Sequence, residues 1–246
     1  ALAVVVFLVA AAASAAAVPP VVGKGRRMAR KSYLDARSHE IVTNAVAQAE
    51  LQTSGEIVTV LADRSDGYTD IALAWSALAA FLALTFCVTF PDLLLDTYAG
   101  FHGGWNTDWT PREIFSMAAG AVIFWFLVLW LLQLSDTIRF ALVPGKVKTL
   151  RVHARAVAHF KVGAEKRTHG RTGIMIYLSM QEHRAEIVAD EPIAAKVDAE
   201  VWGDAMADML AEIKQGKIAE GMAAGVRDVG EVLSLHFPRA EDDENE

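Results

Sequence analysis

Four polar residues could do chemistry together: Glu56, Arg171, Thr172 and Asp190. Each falls at the expected end of an apolar, strand-like run, and open α/β sheets hold ligands beyond strand ends. Glu56 and Asp190 offer carboxylate oxygens, the donors that hard cations such as Ca²⁺ or Mg²⁺ select. Arg171 offers a planar fork that matches a phosphate or carboxylate. The competing reading is structural, an ion pair from Arg171 to one carboxylate that fixes the sheet's end. No catalytic residue stands out. The chain has no Gly-x-Ser-x-Gly elbow and no phosphate-cradling glycine loop. Ser179 has only His183 near it in sequence. Asp63, Asp66 and Asp70 lack the glycine and terminal glutamate of a calcium loop, so they read as a solvated linker. His153, His159, His169 and His183 show no metal spacing. Six residues separate His153 from His159, which sets them on different helix faces.

The elements that must position these residues come in two halves. Before residue 70, Asp35 or Ser38 can cap a helix with Ile41, Val42, Ala45, Val46 and Ala49 at helical spacing. Thr53-Ser54-Gly55 ends it, with Gly55 suited to a left-handed position. Ile57 to Leu61 reads as a buried strand. One helix and one strand cannot make a core, so partners are expected later in the chain. Val147, Leu150, Ala154, Val157 and Phe160 mark a further amphipathic helix. Residues 172–180 and 185–189 read as the two strands of a β-hairpin around a turn at 181–184. Asp198 caps a helix through Val201, Trp202, Met206, Met209, Leu210 and Ile213, which Gly216 breaks. A last helix uses Ile218, Met222, Val226, Val229 and Leu233, and ends at Phe237-Pro238.

Between the halves lie two uncharged runs, residues 71–90 and 114–134, each about the length of a bilayer-spanning helix. They read as a transmembrane hairpin that returns both halves to one side. Arg139, Lys146, Lys148, Arg151, Arg155 and Lys161 follow it, with no acid between Arg139 and Glu165. The loop 91–113 holds Asp92, Asp96 and Asp108. By the positive-inside rule the loop faces out and the soluble halves face the cytoplasm, in a multi-pass protein of the inner (plasma) membrane. The same basic segment is also suited to anionic headgroups. Tyr98, Phe101, Trp105 and Trp109 give the loop an aromatic density suited to the bilayer interface or to a partner subunit. Cys87, the lone cysteine, excludes a disulfide framework or a thiolate zinc site and reads as a buried structural thiol. A net charge of -7 excludes a nucleic-acid partner. Residues 1–27 are an apolar stretch followed by basic residues. They read as an extra membrane helix or as a non-native extension before a start at Met28, with the second preferred. Residues 239–246 are an acidic tail.

Divided thus into 28–70, 71–134 and 135–238, the chain predicts an α/β fold: a small mixed sheet sandwiched by helices and interrupted by a two-helix transmembrane hairpin. The run Gln52-Thr-Ser-Gly-Glu-Ile-Val-Thr-Val60 resembles the first strand of the TPM-domain family. Arg171-Thr-Gly-Ile-Met-Ile-Tyr-Leu-Ser179 resembles its second strand and Ala185-Glu-Ile-Val-Ala-Asp190 its third. Leu235-His-Phe-Pro238 is similar to the ending of a bacterial membrane branch in which a span pair splits the domain. The family includes thylakoid-lumen proteins of photosystem II repair and an auxiliary subunit of a nematode acetylcholine receptor. The resemblance implies either assembly or repair of membrane complexes, or a weak metal-dependent acid phosphatase activity. Where family members often carry a glycine after the third strand, this chain reads Asp190-Glu191-Pro192, which puts a ligand loop there in question.

Three functions follow as expectations. The first is a membrane-anchored interaction domain that assists assembly, repair or stability of a membrane protein complex, more an accessory subunit than an enzyme. The second is a Ca²⁺- or Mg²⁺-dependent, acid phosphatase-like hydrolase using Glu56, Asp190 and Arg171. The third is an anchored adaptor for a cytoplasmic protein.

Overall fold

The computed structural model describes residues 4–7, 33–102, 109–167 and 172–239. In chain order these form β1 (Val4–Phe7), α1 (Ala36–Glu50), β2 (Glu56–Ala62), α2 (Thr69–Thr89), α3 (Pro91–His102) and α4 (Pro111–Leu132). There follow α5 (Asp136–Leu142), α6 (Gly145–Arg167), β3 (Gly173–Ser179), β4 (Arg184–Asp190), α7 (Glu191–Ala194), α8 (Ala199–Lys214) and α9 (Ile218–His236). The chain divides into two compact units, one of residues 1–66 and 146–246, the other of residues 67–145.

In the first unit the sheet has the order β1-β4-β3-β2. β2 and β3 run parallel, in register from Glu56 opposite Gly173 to Ala62 opposite Ser179. β3–β4 and β4–β1 are antiparallel. A parallel pair needs a crossover to bring the chain back. Here that crossover contains the whole second unit and then α6, so the apolar hairpin is an insertion between two neighbouring strands. Val4–Phe7 is a strand on the sheet's edge, as its three consecutive valines favour; the rest of the N-terminal stretch lies outside the described residues.

Strand alternation divides the sheet into two faces. Ile57, Ile174, Ile176, Leu178, Ile187 and Ala189 pack beneath α1, α8 and α9. Met175, Tyr177 and Val188 pack beneath α6, which supplies Val152, Ala156 and Phe160. The sheet is therefore sandwiched by helices, as expected. The α6 stripe differs from the expected one: it is 152/156/160, and Leu150 is exposed. Among so many apolar residues, periodicity alone did not separate the two phases.

Asp35 caps α1, its Oδ1 accepting from the Ser38 N–H at 2.8 Å. Gly55 is not left-handed, since Gly216 is the glycine with positive φ among the described residues. What Gly55 supplies is room, because a Cβ there would lie 3.0 Å from a Leu233 methyl. Gly230 does the same on α9, where a Cβ would meet that of Ala49 at 2.6 Å.

In the second unit α2 and α4 pack together and are, among the described residues, the two helices long and apolar enough to cross a membrane. The buried positions of α2 are Ala72, Ser76, Ala83 and Cys87, small residues that permit close helix approach. Gln133, buried at the end of α4, donates to the Ala72 carbonyl at 3.1 Å and to Ser76 Oγ at 3.2 Å. This polar clamp joins the start of α2 to the end of α4. The stretch read as a loop contains a helix instead, α3. Pro91 at its first position and Leu93-Leu94-Leu95 suit helix, and the polar residues that suggested a loop cluster later.

Candidate functional site

The α6 face of the sheet holds polar groups at both ends. At one end lie Glu56, first residue of β2, and Asp190, last residue of β4. By strand alternation both point toward the face that carries α6, on either side of Gly173. The Gly173 N–H donates to Asp190 Oδ2 at 3.0 Å. A Cβ on Gly173 would come within 3.3 Å of that oxygen and 3.7 Å of the Phe160 ring, so the glycine makes the space the carboxylate fills. Thr172 Oγ1 donates to the Ser54 carbonyl at 3.2 Å, and the Glu56 N–H to the Thr172 carbonyl at 3.1 Å. Thr53 Oγ1 donates to the Phe237 carbonyl at 2.7 Å and latches the end of α9 to this corner.

The fold thus brings Glu56, Thr172 and Asp190 to one sheet end. Arg171 lies outside the described residues. One strand, β3, lies between the carboxylates, and two strand spacings make a backbone distance of about 10 Å. As a ligand set for Ca²⁺ or Mg²⁺ the pair is partial, since such ions take about six to eight oxygens. Among the described residues, no three His, Cys, Asp or Glu side chains group to hold a metal. The Asp190-Glu191-Pro192 departure has a structural counterpart: β4 runs straight into α7, with Asp190 as its N-terminal flanking residue.

The other end was missed in the sequence. Ser65, just after β2, bonds through Oγ to Ser179 Oγ at 2.9 Å and to the Tyr177 hydroxyl at 3.1 Å. Ser179 donates to Glu182 Oε2 at 2.5 Å, and the Ser65 N–H donates to Glu182 Oε1 at 2.9 Å. All four side chains are buried. The partner of Ser179 is thus Glu182 rather than His183. With no exposed hydroxyl the network is a structural weld, not a nucleophile site. It fastens the linker after β2 to the β3–β4 turn. Asp63 is part of the same fastening, accepting from the Tyr33 hydroxyl and from Gln181 Nε2. Asp66 pairs with Arg151 at 2.8 Å. Asp63 and Asp66, read as part of a solvated linker, are therefore engaged, and Asp70 lies in the first turn of α2.

Midway along this face, Glu186 opposes Tyr177 across the strands and is 1% exposed. Its Oε2 lies 3.7 Å from His153 Nδ1, too far for a hydrogen bond. Burial pushes the Glu186 carboxyl up to about 7, against the opposing pull of Arg184. His159 stacks near Tyr177, with ring centroids 5.8 Å apart, and burial lowers its pKa, helped by Arg155. The two histidines lie on either side of the buried α6 stripe. Burial, with Arg184 adding to it, also lowers the pKa of Lys148. His169 lies outside the described residues. The signal that could have found Glu186 is its place among apolar residues in a strand, where a carboxylate is seldom fully buried.

In the second unit, Tyr98 and Trp109 meet edge to face with centroids 5.6 Å apart. The Phe101 side chain and Trp105 lie outside the described residues. Cys87 is buried, as its position in the first apolar run implied.

The TPM domain family model matches residues 139–232. Among curated proteins, none matches the chain. Among solved structures, the NMR structure of the BA42 protein from the psychrophilic bacterium Bizionia argentinensis is similar, at 16% identity and a TM-score of 0.49. That similarity covers 88% of this chain and 92% of that one. The family match begins after the apolar hairpin and omits the Gln52–Val60 run. The matched segment holds α6, the β3–β4 hairpin, α8 and most of α9, and that segment is similar to the TPM domain.

Proposed function

We propose that this chain is a membrane-anchored interaction domain that assists the assembly, repair or stability of a membrane protein complex. The observation that carries this reading is how little of the hairpin is buried within the chain. α4 buries none of its residues, and Phe81, Phe115, Phe124 and Trp125 are among the large apolar side chains left exposed. Lipid accommodates such surface, and so do the helices of other subunits. The insertion point adds support. The strands before and after the hairpin in sequence, β2 and β3, pair with each other in the sheet of the α/β unit. The basic residues after α4 orient the α/β unit to the cytoplasm and residues 91–113 outward, in the inner membrane. Affinity isolation of the chain from native membranes in mild detergent tests this, with mass spectrometry of everything retained. A defined set of membrane subunits in fixed ratio is the expected result. A lone chain with metal-dependent turnover sinks the reading. A reporter active only outside the cell, fused to Glu246, should stay silent.

A second reading is favoured by one geometric fact: Glu56 and Asp190 share a face and a sheet end. In that reading they are the first ligands of a Ca²⁺ or Mg²⁺ ion in an acid phosphatase-like hydrolase, and Arg171 holds the phosphate. Phosphatase assays of the purified chain with and without the cation test it, and turnover that ignores the cation counts against it.

A further inference from the structure

Within the second unit, α3 lies beside the α2–α4 pair and leaves a groove in two connected parts. The first is a cavity of about 630 Å³, walled by Leu82, Phe86, Leu93 and Trp125 among other apolar side chains. The second, of about 510 Å³, shares Leu94 and Thr97 with the first and ends at Tyr98, Ser116 and Arg112. Each is within the roughly 300–1,000 Å³ typical of small-molecule sites. The groove therefore grades from apolar to polar along its length. α3 has the matching asymmetry: Leu93, Leu94, Thr97 and Tyr98 line the groove, while Asp92 and Asp96 recur one turn apart on the opposite side.

Charge selects the occupant. Arg112 is the one lysine or arginine in sequence between Asp70 and Asp136. Its neighbour Glu113 also lines this end of the groove, with Oε2 committed to its own helix cap, accepting from the Thr110 N–H at 2.9 Å and the Thr110 hydroxyl at 2.7 Å. Arg112 also lies in the first turn of α4, where the helix dipole is positive. A guanidinium there matches a phosphate diester, and an apolar trench leading away from it matches an acyl chain. We propose that this groove is a binding site for one anionic phospholipid, with an acyl chain along Leu82, Phe86 and Trp125 and the headgroup phosphate at Arg112. The inference rests on the membrane placement of α2 and α4 and is independent of any partner complex.

The test uses the full chain reconstituted into vesicles of equimolar phosphatidylglycerol and phosphatidylcholine, then re-extracted in mild detergent. Mass spectrometry counts the lipid that stays bound. The expected result is one retained lipid per chain, with phosphatidylglycerol favoured about fivefold, the factor one basic side chain gives beside an anionic lipid. Arg112→Gln should bring the ratio to that of the vesicle while the chain still inserts. Gly120→Phe should abolish retention, because a Cβ at Gly120 meets nothing within 4 Å and the ring would enter the groove. Retention at the vesicle's own ratio in the unaltered chain, a preference that survives Arg112→Gln, or no retained lipid would each overturn the proposal. Arg112→Gln decides the matter alone if Gly120→Phe fails to insert.

Discussion

The two ends of the sheet's α6 face use similar residue types to opposite effect. At the Ser65 end, a carboxylate and three hydroxyls are buried and bonded to one another, with both Glu182 oxygens accepting. At the Asp190 end, the two carboxylates stand apart, one on each side of a glycine, and Asp190 takes a single backbone N–H from it. A network closed on itself holds elements together. Carboxylates held apart across a strand on one face are what a ligand requires. The difference teaches that polar residues at strand ends carry no functional meaning until their partners are counted.

The largest effect should come from breaking the closed end. Glu182→Ala leaves the Ser65 N–H and the Ser179 hydroxyl buried without an acceptor, and unmet buried groups cost about 1–3 kcal/mol each. A loss of about 2–4 kcal/mol is expected, read as a lowered unfolding temperature of the solubilised chain. Asp190→Asn keeps an acceptor for the Gly173 N–H and should cost about 1 kcal/mol or less. Equal losses from the two would erase the distinction between the ends.

Between the ends, Glu186 offers a pH test. Its carboxyl titrates near 4.5 when unfolded and near 7 when folded. Between those values the folded chain holds the extra proton, so stability falls as pH rises through the window and levels off above it. His153 on α6, Arg184 on β4 and Tyr177 on β3 are the polar groups facing it. Glu186→Gln removes the proton linkage. At pH 8 it should stabilise the chain by about 1–3 kcal/mol relative to the unaltered protein, and at pH 4.5 by little. Unfolding temperatures across that range check it, and parallel curves for the two proteins would contradict it.

These contrasts also mark what sequence could show. The strands at 57–61, 172–180 and 185–189 were legible because β-branched runs sit between turn residues. The apolar hairpin was legible by length alone. Asp190 and Glu56 could be named because they end those runs. The Ser65 network could not, because it joins residues more than a hundred positions apart through a register fixed only when β2 and β3 pair. α3 was hidden for a different reason: its acids and aromatics resemble an outer loop, and only helical phase separates the two sides. The 152/156/160 stripe of α6 was lost because alanine and valine occupy both candidate phases.

At the open end the expected effect depends on a ligand. If Glu56 and Asp190 hold Ca²⁺ or Mg²⁺, a cation concentration ten times the Kd should stabilise the fold by about 1.4 kcal/mol. Asp190→Asn should reduce that gain sharply, and Glu182→Ala should leave it intact once its own lower baseline is subtracted. Thermal unfolding in millimolar CaCl₂ or MgCl₂ against a chelator reads the difference. An identical gain in the Asp190 variant would move the cation elsewhere.

The smallest effect sharpens where the closed end stops. Arg151 and Asp66 lie 2.8 Å apart, yet their side chains are 43% and 32% exposed. Pairs so exposed are worth about 0.2–1 kcal/mol, because solvent screens them and two long side chains must be ordered. Arg151→Ala should therefore lower stability by less than about 1 kcal/mol, and the loss should vanish at 1 M salt, where the screening length is about 3 Å. The Glu182→Ala loss should persist at that salt concentration, because hydrogen bonds in a buried network are not reached by ions. A salt-resistant loss from Arg151→Ala would extend the weld from Ser65 to Asp66. It would then join α6 to the last residue of the first segment before the apolar hairpin.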